Sequence, residues 1–199
     1  MDKKFVFDRN LHRSDVDYTN YYWFNEAFTV DELKKIEEMT FQLPFETAAV
    51  GENNVSKVSD YRKSSIKWCP QNEEWDWVYD KLSSMISEAN NNMWKFDLTH
   101  MRELIQYTEY YEGGGHYDWH MDCGIGIQSQ RKISVTVQLS HPSEYEGGDL
   151  EFNIGNYMTA PQVQGAAVIF PSFFLHRVTP ITKGIRKSFV LWVGGEPYR

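Results

Sequence analysis

The hydrophobic rhythm of the chain changes near residue 98. Before it, apolar residues recur at helical spacing in two places. Phe28-Thr29-Val30-Asp31-Glu32-Leu33 carries a helix start. Thr29 is placed to cap the first turn, Glu32 closes a capping box three residues on, and Phe28 with Leu33 forms a hydrophobic staple across the entry. This helix is expected to run to about Thr40, short of Pro44. From Asn72 to about Asn90, Trp75, Val78, Leu82, Met85, Ile86 and Ala89 keep helical spacing, with Glu73 and Glu74 in the first turn where the helix dipole favours acids. That stripe offers no ligand and reads as core. Between the helices, Glu46–Val50 and Tyr61–Trp68 read as strands flanking a polar loop, Gly51–Ser56. Residues 1–22 are polar and aromatic without a period, an arm laid on the domain.

After Leu98 the apolar runs shorten and become β-branched or aromatic. Met101–Tyr111, Tyr117–Asp122, Lys132–Ser140, Asp149–Phe152, Ala166–Phe170, Leu175–Val178 and Ile185–Val193 are punctuated by Gly, Pro, Asn and Ser. That spacing is expected of an all-β sandwich or barrel. Helices followed by many short strands predict a mainly β fold, a jelly roll with supporting N-terminal helices. One domain spans 1–199, with the arm and helical support over about 1–95 and the jelly-roll core over about 96–195.

Composition narrows the partners. The 199 residues suffice for one domain with a full core. The net charge of -8 argues against a broad nucleic-acid-binding face, which needs a basic patch, although Tyr61-Arg62-Lys63 is a local basic cluster. Two cysteines, Cys69 and Cys123, make no C-x-x-C pair, so neither a thiolate zinc site nor a disulfide framework is expected. Met1-Asp-Lys-Lys-Phe lacks the apolar run of a signal peptide, and no stretch approaches a membrane span. A cytoplasmic, reduced setting without membrane contact is the expectation.

The chemistry concentrates in Tyr111-Glu-Gly-Gly-Gly-His-Tyr117-Asp-Trp-His120-Met-Asp122. In an extended segment, His120 and Asp122 point to one face, and three glycines disfavour a helix here. The same alternation puts Asp118 on that face, so either aspartate suits a ligand role. His176, in Phe170-Pro-Ser-Phe-Phe-Leu-His176-Arg-Val-Thr-Pro180, is the best third ligand. Two His and one carboxylate with open positions form the facial arrangement of non-haem Fe(II) oxygenases. His12, His100, His116 and His141 lack any supporting pattern. An oxo-diacid co-substrate would need an anchor for its far carboxylate. Arg186, on the next expected strand, has the planar fork for it, though a lone Arg is more often a surface residue. Ser188 shares the face of Arg186, and Tyr111 has a phenol to donate. Trp192 is a further pocket candidate.

Tyr111-x-x-Gly114-x-x-Tyr117-x-x-His120-x-Asp122 resembles a signature of the prolyl 4-hydroxylase superfamily of Fe(II)/2-oxoglutarate-dependent dioxygenases. Leu139-Ser-His-Pro-Ser-Glu-Tyr145-Glu-Gly-Gly148-Asp-Leu150 is similar to a block of its PKHD-type hydroxylases, and Gly165 to Arg186 resembles a third block. The resemblance covers roughly residues 58 to 195. It implies a double-stranded β-helix, with His120, Asp122 and His176 holding iron and Arg186 anchoring 2-oxoglutarate. It also prefers Asp122 to Asp118. By the same resemblance, the activity is hydroxylation of a C–H bond coupled to decarboxylation of 2-oxoglutarate, with O2 consumed and ascorbate a candidate reductant. The substrate would be a prolyl or other residue of a peptide or protein. The alternatives are a free amino acid, a small metabolite or a nucleobase, or a non-catalytic metal-binding jelly roll, against which all four site residues speak. Lys183 and His141 depart from the family's usual Arg and Asp, both in turns. The first 57 residues resemble nothing in the family. The retained carboxylate favours hydroxylation over halogenation, since halogenating relatives put a small residue there. Gly51–Ser56 and Cys123–Arg131 are candidate lids, the second with Gly124 and Gly126 as hinges.

Overall fold

A computed structural model describes residues 20–47 and 60–196. The elements in chain order are β1 (Tyr22–Phe24), α1 (Val30–Phe41), β2 (Glu46–Thr47), β3 (Arg62–Lys63), β4 (Ser65–Cys69), α2 (Asp76–Asn92), β5 (Leu98–His100), β6 (Ile105–Tyr111) and β7 (His116–His120). There follow β8 (Arg131–Gln138), β9 (Tyr145–Gly147), β10 (Leu150–Asn153), β11 (Tyr157–Thr159), β12 (Ala167–Pro171), β13 (His176–Val178) and β14 (Ile181–Gly195). Short 3-10 turns at Gly126–Gln130 and Pro142–Glu144 precede β8 and β9.

Two antiparallel sheets face one another. The larger runs β1-β12-β8-β14-β6-β4-β2, with β5 and β9 also pairing β14, and the smaller runs β11-β10-β13-β7-β3. This is the expected double-stranded β-helix, and the helices back its larger sheet. The first helix starts as the capping pattern dictates: Thr29 Oγ1 accepts from the Glu32 amide at 3.3 Å, and the Glu32 carboxylate accepts from the Thr29 amide at 2.7 Å. Phe28 and Leu33 are both buried beneath that entry. In α2, Val78, Leu82, Ile86 and Ala89 are buried as the spacing requires, while Glu73 and Glu74 fall in the turn just before the helix.

Burial divides into two cores. Ile133, Val135, Val137, Phe189, Leu191 and Val193 meet the helices on the outer side of the larger sheet. Tyr110, Tyr145, Leu150, Phe152, Phe170 and Phe174 fill the space between the sheets.

Several expected strands differ in extent. Tyr61–Trp68 is two strands in different sheets: β3 pairs β7, whereas β4 pairs β6. Arg62 spans the corner, its Nε donating to Ser64 Oγ at 2.9 Å and its Nη2 to Gln106 Oε1 at 2.8 Å. Met101–Tyr111 starts only at Ile105, and Ile185–Val193 extends to the whole of β14 because its first residues pair β9. The short edge strands β1 and β11 went unsignalled by any alternation. Of Glu46–Val50, the first two residues form β2. The rest of that strand, the Gly51–Ser56 loop and arm residues 1–19 lie outside the described residues. Among the described residues no helix is long and apolar enough to cross a membrane.

Candidate metal centre

His120 ends β7, His176 begins β13, and the two are register partners. The same ladder sets Tyr117 opposite Val178, so three steps on β7 face two on β13. The additional residue is a β-bulge, which bends the strand and re-aims side chains. It brings Tyr117 and His120 to the interior together, their rings stacked with centroids 3.5 Å apart. Asp118 is turned out to solvent, which is why simple alternation wrongly offers it as a ligand. Asp122 lies beyond the strand end, its amide donating to the Ser172 carbonyl at 2.8 Å.

Three side chains converge here. Single ligand atoms from His120, Asp122 and His176 all lie within 4.8 Å of one another. His120 Nε2 is 3.7 Å from Asp122 Oδ1, and His176 Nε2 is 3.6 Å from Asp122 Oδ2. Each histidine uses its other nitrogen on a backbone carbonyl, Asp118 O at 2.7 Å and Phe174 O at 2.8 Å. A carbonyl only accepts, so each Nδ1 donates and each Nε2 keeps a lone pair for a metal. Burial, reinforced by the neighbouring His176, lowers His120 to about 3, so its ring is neutral at ordinary pH and its approach to Asp122 is no ion pair. Burial by itself would raise the Asp122 carboxyl, but His176, His120, the Ser134 hydrogen bond and Arg131 together hold it below the usual range. Two imidazole nitrogens beside an ionised carboxylate are a donor set suited to a divalent metal such as iron. His100, His116 and His141 stand outside the cluster: both ring nitrogens of His116 meet backbone carbonyls, and His141 caps a 3-10 turn. His12 lies outside the described residues.

Arg186 is only 3% exposed and faces the space between the sheets. Its Nη1 donates to Ser188 Oγ at 3.3 Å, its guanidinium lies over the Tyr110 ring, and its Nε has no partner. A buried, unpartnered guanidinium N–H is a donor set aside for an anion. Thr136, Gln138, Gly148, Leu150 and Gln162 line a small cavity with it. Gly148 sits at φ +67°, and a Cβ there would lie 2.8 Å from Arg186 Cδ, so glycine leaves the arginine room. Leu150 is two residues from Phe152, the register partner of His176, so cavity and triad occupy the same inter-sheet space.

The role expected of Tyr111 does not survive. Its partner across β14 is Ile185, whereas Tyr110 is the partner of Arg186. Tyr111 therefore points to the helix side, where its hydroxyl donates to Glu109, and Tyr110 is the phenol that shares the arginine's face. Ser188 and Trp192 stand on the inner face as expected. Trp192 is buried with an unpartnered Nε1, under the Arg131 guanidinium at 3.9 Å. Ser134, Gln138, Tyr145 and Ser172 escaped sequence reasoning. Ser134, Thr136 and Gln138 alternate with Ile133, Val135 and Val137, a pattern that reads as solvent-facing until both faces prove to be covered.

Residues 105–194 match the 2OG-Fe(II) oxygenase superfamily. Over that stretch, just under half of the chain, the sequence resembles this superfamily. Among its relatives, the PKHD-type hydroxylase of Delftia acidovorans is 39% identical over 90 residues, covering 41% of this chain and 39% of that protein. That of Teredinibacter turnerae is 37% identical over 89 residues, 42% of this chain and 39% of the relative. The matches thus span about two-fifths of these relatives. Among solved structures, a prolyl hydroxylase from Trichoplax adhaerens, in complex with a hypoxia inducible factor oxygen degradation domain peptide fragment, aligns with a TM-score of 0.73. It is 17% identical and covers 87% of this chain and 83% of its own. A prolyl-4-hydroxylase from Pseudomonas putida aligns at 0.67 with 19% identity, covering 88% and 92%. Both share the fold of this chain.

Proposed function

We propose that this chain is a member of the 2OG-Fe(II) oxygenase superfamily and a dioxygenase that hydroxylates a substrate C–H bond, with His120, Asp122 and His176 as iron ligands and Arg186 as the 2-oxoglutarate anchor. One observation carries the reading: three ligand atoms converge in the same inter-sheet space as a buried arginine with an unpartnered Nε. Bound Fe(II) with 2-oxoglutarate would supply O2 activation, driven by oxidative decarboxylation to succinate and CO2.

The residues supply position and environment. Backbone carbonyls of Asp118 and Phe174 fix both imidazole tautomers. Arg186 with Ser188 offers a fork and a hydroxyl to a carboxylate, and the Tyr145 phenol stands beside them, kept protonated because burial pushes its pKa up. Phe152, Phe170 and Phe174 exclude water behind the metal ligands. Within residues 123–131, Ile125 and Ile127 are exposed, which suits a segment that folds over bound substrate. Shortening it would then weaken substrate turnover more than 2-oxoglutarate binding, and equal loss of both would sink the lid.

For the substrate we favour a prolyl or other residue of a peptide. The support is the likeness to prolyl hydroxylase folds, one of them solved with a peptide fragment, and to PKHD-type hydroxylases. An anaerobic titration with Fe(II) and 2-oxoglutarate tests the chemistry. A visible charge-transfer band that is lost in Asp122→Ala and weakened in Arg186→Ala is expected. No band at saturating ligand would overturn the assignment. Peptide and metabolite pools screened for a gain of one oxygen atom then test the substrate class.

A further inference from the structure

We propose that Ser134 and Ser172 are positioning residues that restrict Asp122 to a single coordinating oxygen. This rests on the metal-centre reading above. Ser134 Oγ lies 2.6 Å from Asp122 Oδ2 and 2.9 Å from Ser172 Oγ. Distance alone leaves the direction of the second bond open, but proton counting settles it. The ionised carboxylate has no hydrogen, so Ser134 spends its only hydrogen on Oδ2, and Ser172 must donate to Ser134. Both serines are fully buried, so no solvent competes for this relay.

The main chain supports the same end. The Ser172 carbonyl accepts from the Asp122 amide at 2.8 Å and the Cys123 amide at 3.1 Å, while Arg131 Nη1 donates to the Asp122 carbonyl at 3.1 Å. Arg131 is itself forked onto Glu103. Ser172 is also four residues before His176, in the turn after β12, so the residue that steadies the aspartate also leads into the strand of the second histidine.

The two carboxylate oxygens stand almost equally near a histidine Nε2, at 3.7 and 3.6 Å. The histidines therefore do not select between one-oxygen and two-oxygen coordination. The Ser134 hydrogen does, by withdrawing Oδ2 and leaving Oδ1. The count matters: two histidines and one oxygen leave three of six positions open, enough for a two-atom chelate and O2, whereas a bidentate carboxylate leaves two.

Anaerobic titration with Co(II) alone reads this without turnover, because the intensity and position of cobalt ligand-field bands report coordination. Ser134→Ala should free Oδ2 to coordinate, so the Co(II) bands should change in position and lose intensity as the coordination number rises, with the affinity displaced by about 10- to 100-fold. Ser172→Ala should move both readouts the same way by less, and it alone decides if Ser134→Ala does not fold. Folded variants with wild-type affinity and bands would overturn the proposal while leaving the metal centre standing. A wild-type protein that takes up no Co(II) or Fe(II) would instead remove the metal centre, and this inference with it.

Discussion

The two faces of the larger sheet come from the same strands yet obey different rules. Toward the helices, β8 presents Ile133, Val135 and Val137, and β14 presents Phe189, Leu191 and Val193, all buried apolar residues. Toward the second sheet, the alternate residues are Ser134, Thr136 and Gln138, with Arg186, Ser188, Val190 and Trp192. Both faces are covered, so exposure does not explain the contrast. The outer face converts burial into stability, whereas the inner face accepts buried polar groups, a costly choice unless they are paired or kept for a ligand.

Opposite substitutions should separate the two faces. The largest expected effect on binding is at Arg186. Arg186→Met should cost about 2–5 kcal/mol in 2-oxoglutarate affinity, the usual range for losing one partner of a buried charge pair. The ligand-free protein should be no less stable, since an under-compensated buried charge is removed. Calorimetric titration and thermal unfolding of the same variant check both halves. A large fall in melting temperature would break the contrast. On the outer face, Phe189→Ala should lower stability by about 3–5 kcal/mol in denaturant titration, with affinity unchanged wherever the protein is still folded.

How much of this was legible in the sequence follows the same division. The outer core and the α1 capping box could be read because burial and hydrogen bonding there follow local spacing. The triad and Arg186 could be read because their motifs are short and ordered. The inner polar residues were missed because Ser134-Val135-Thr136-Val137-Gln138 looks half solvated until the second sheet is seen to cover it. The motif points to Tyr111 because it gives positions, whereas the pairing of Arg186 with Tyr110 gives faces.

A pH profile sharpens the comparison. His120 titrates near 3 folded and near its ordinary value of about 6.5 unfolded. Between those values the unfolded chain holds a proton that the native one refuses, so metal-free stability falls as pH drops through that window. The depressed Asp122 acts in the same sense at the acid end. His120→Asn should remove up to about 1.4 kcal/mol per pH unit of this slope, measured as unfolding midpoint against pH, while Phe189→Ala should leave the slope unchanged. The smallest effect is expected at Tyr111→Phe. It should cost about 1 kcal/mol for one hydrogen bond to Glu109, which keeps its bond from Tyr107, with no change in 2-oxoglutarate affinity. A clear loss of that affinity would return Tyr111 to the site.

The additional residue in β7 has a consequence for anyone who would transplant this centre. The separation of His120 from Asp122 is easily copied, but what aims the pair is the count of three steps against two beside β13. On a regular strand the same letters would keep Tyr117 and His120 on opposite sides, giving the histidine no ring to lean on. A graft must therefore carry the miscount along with the motif.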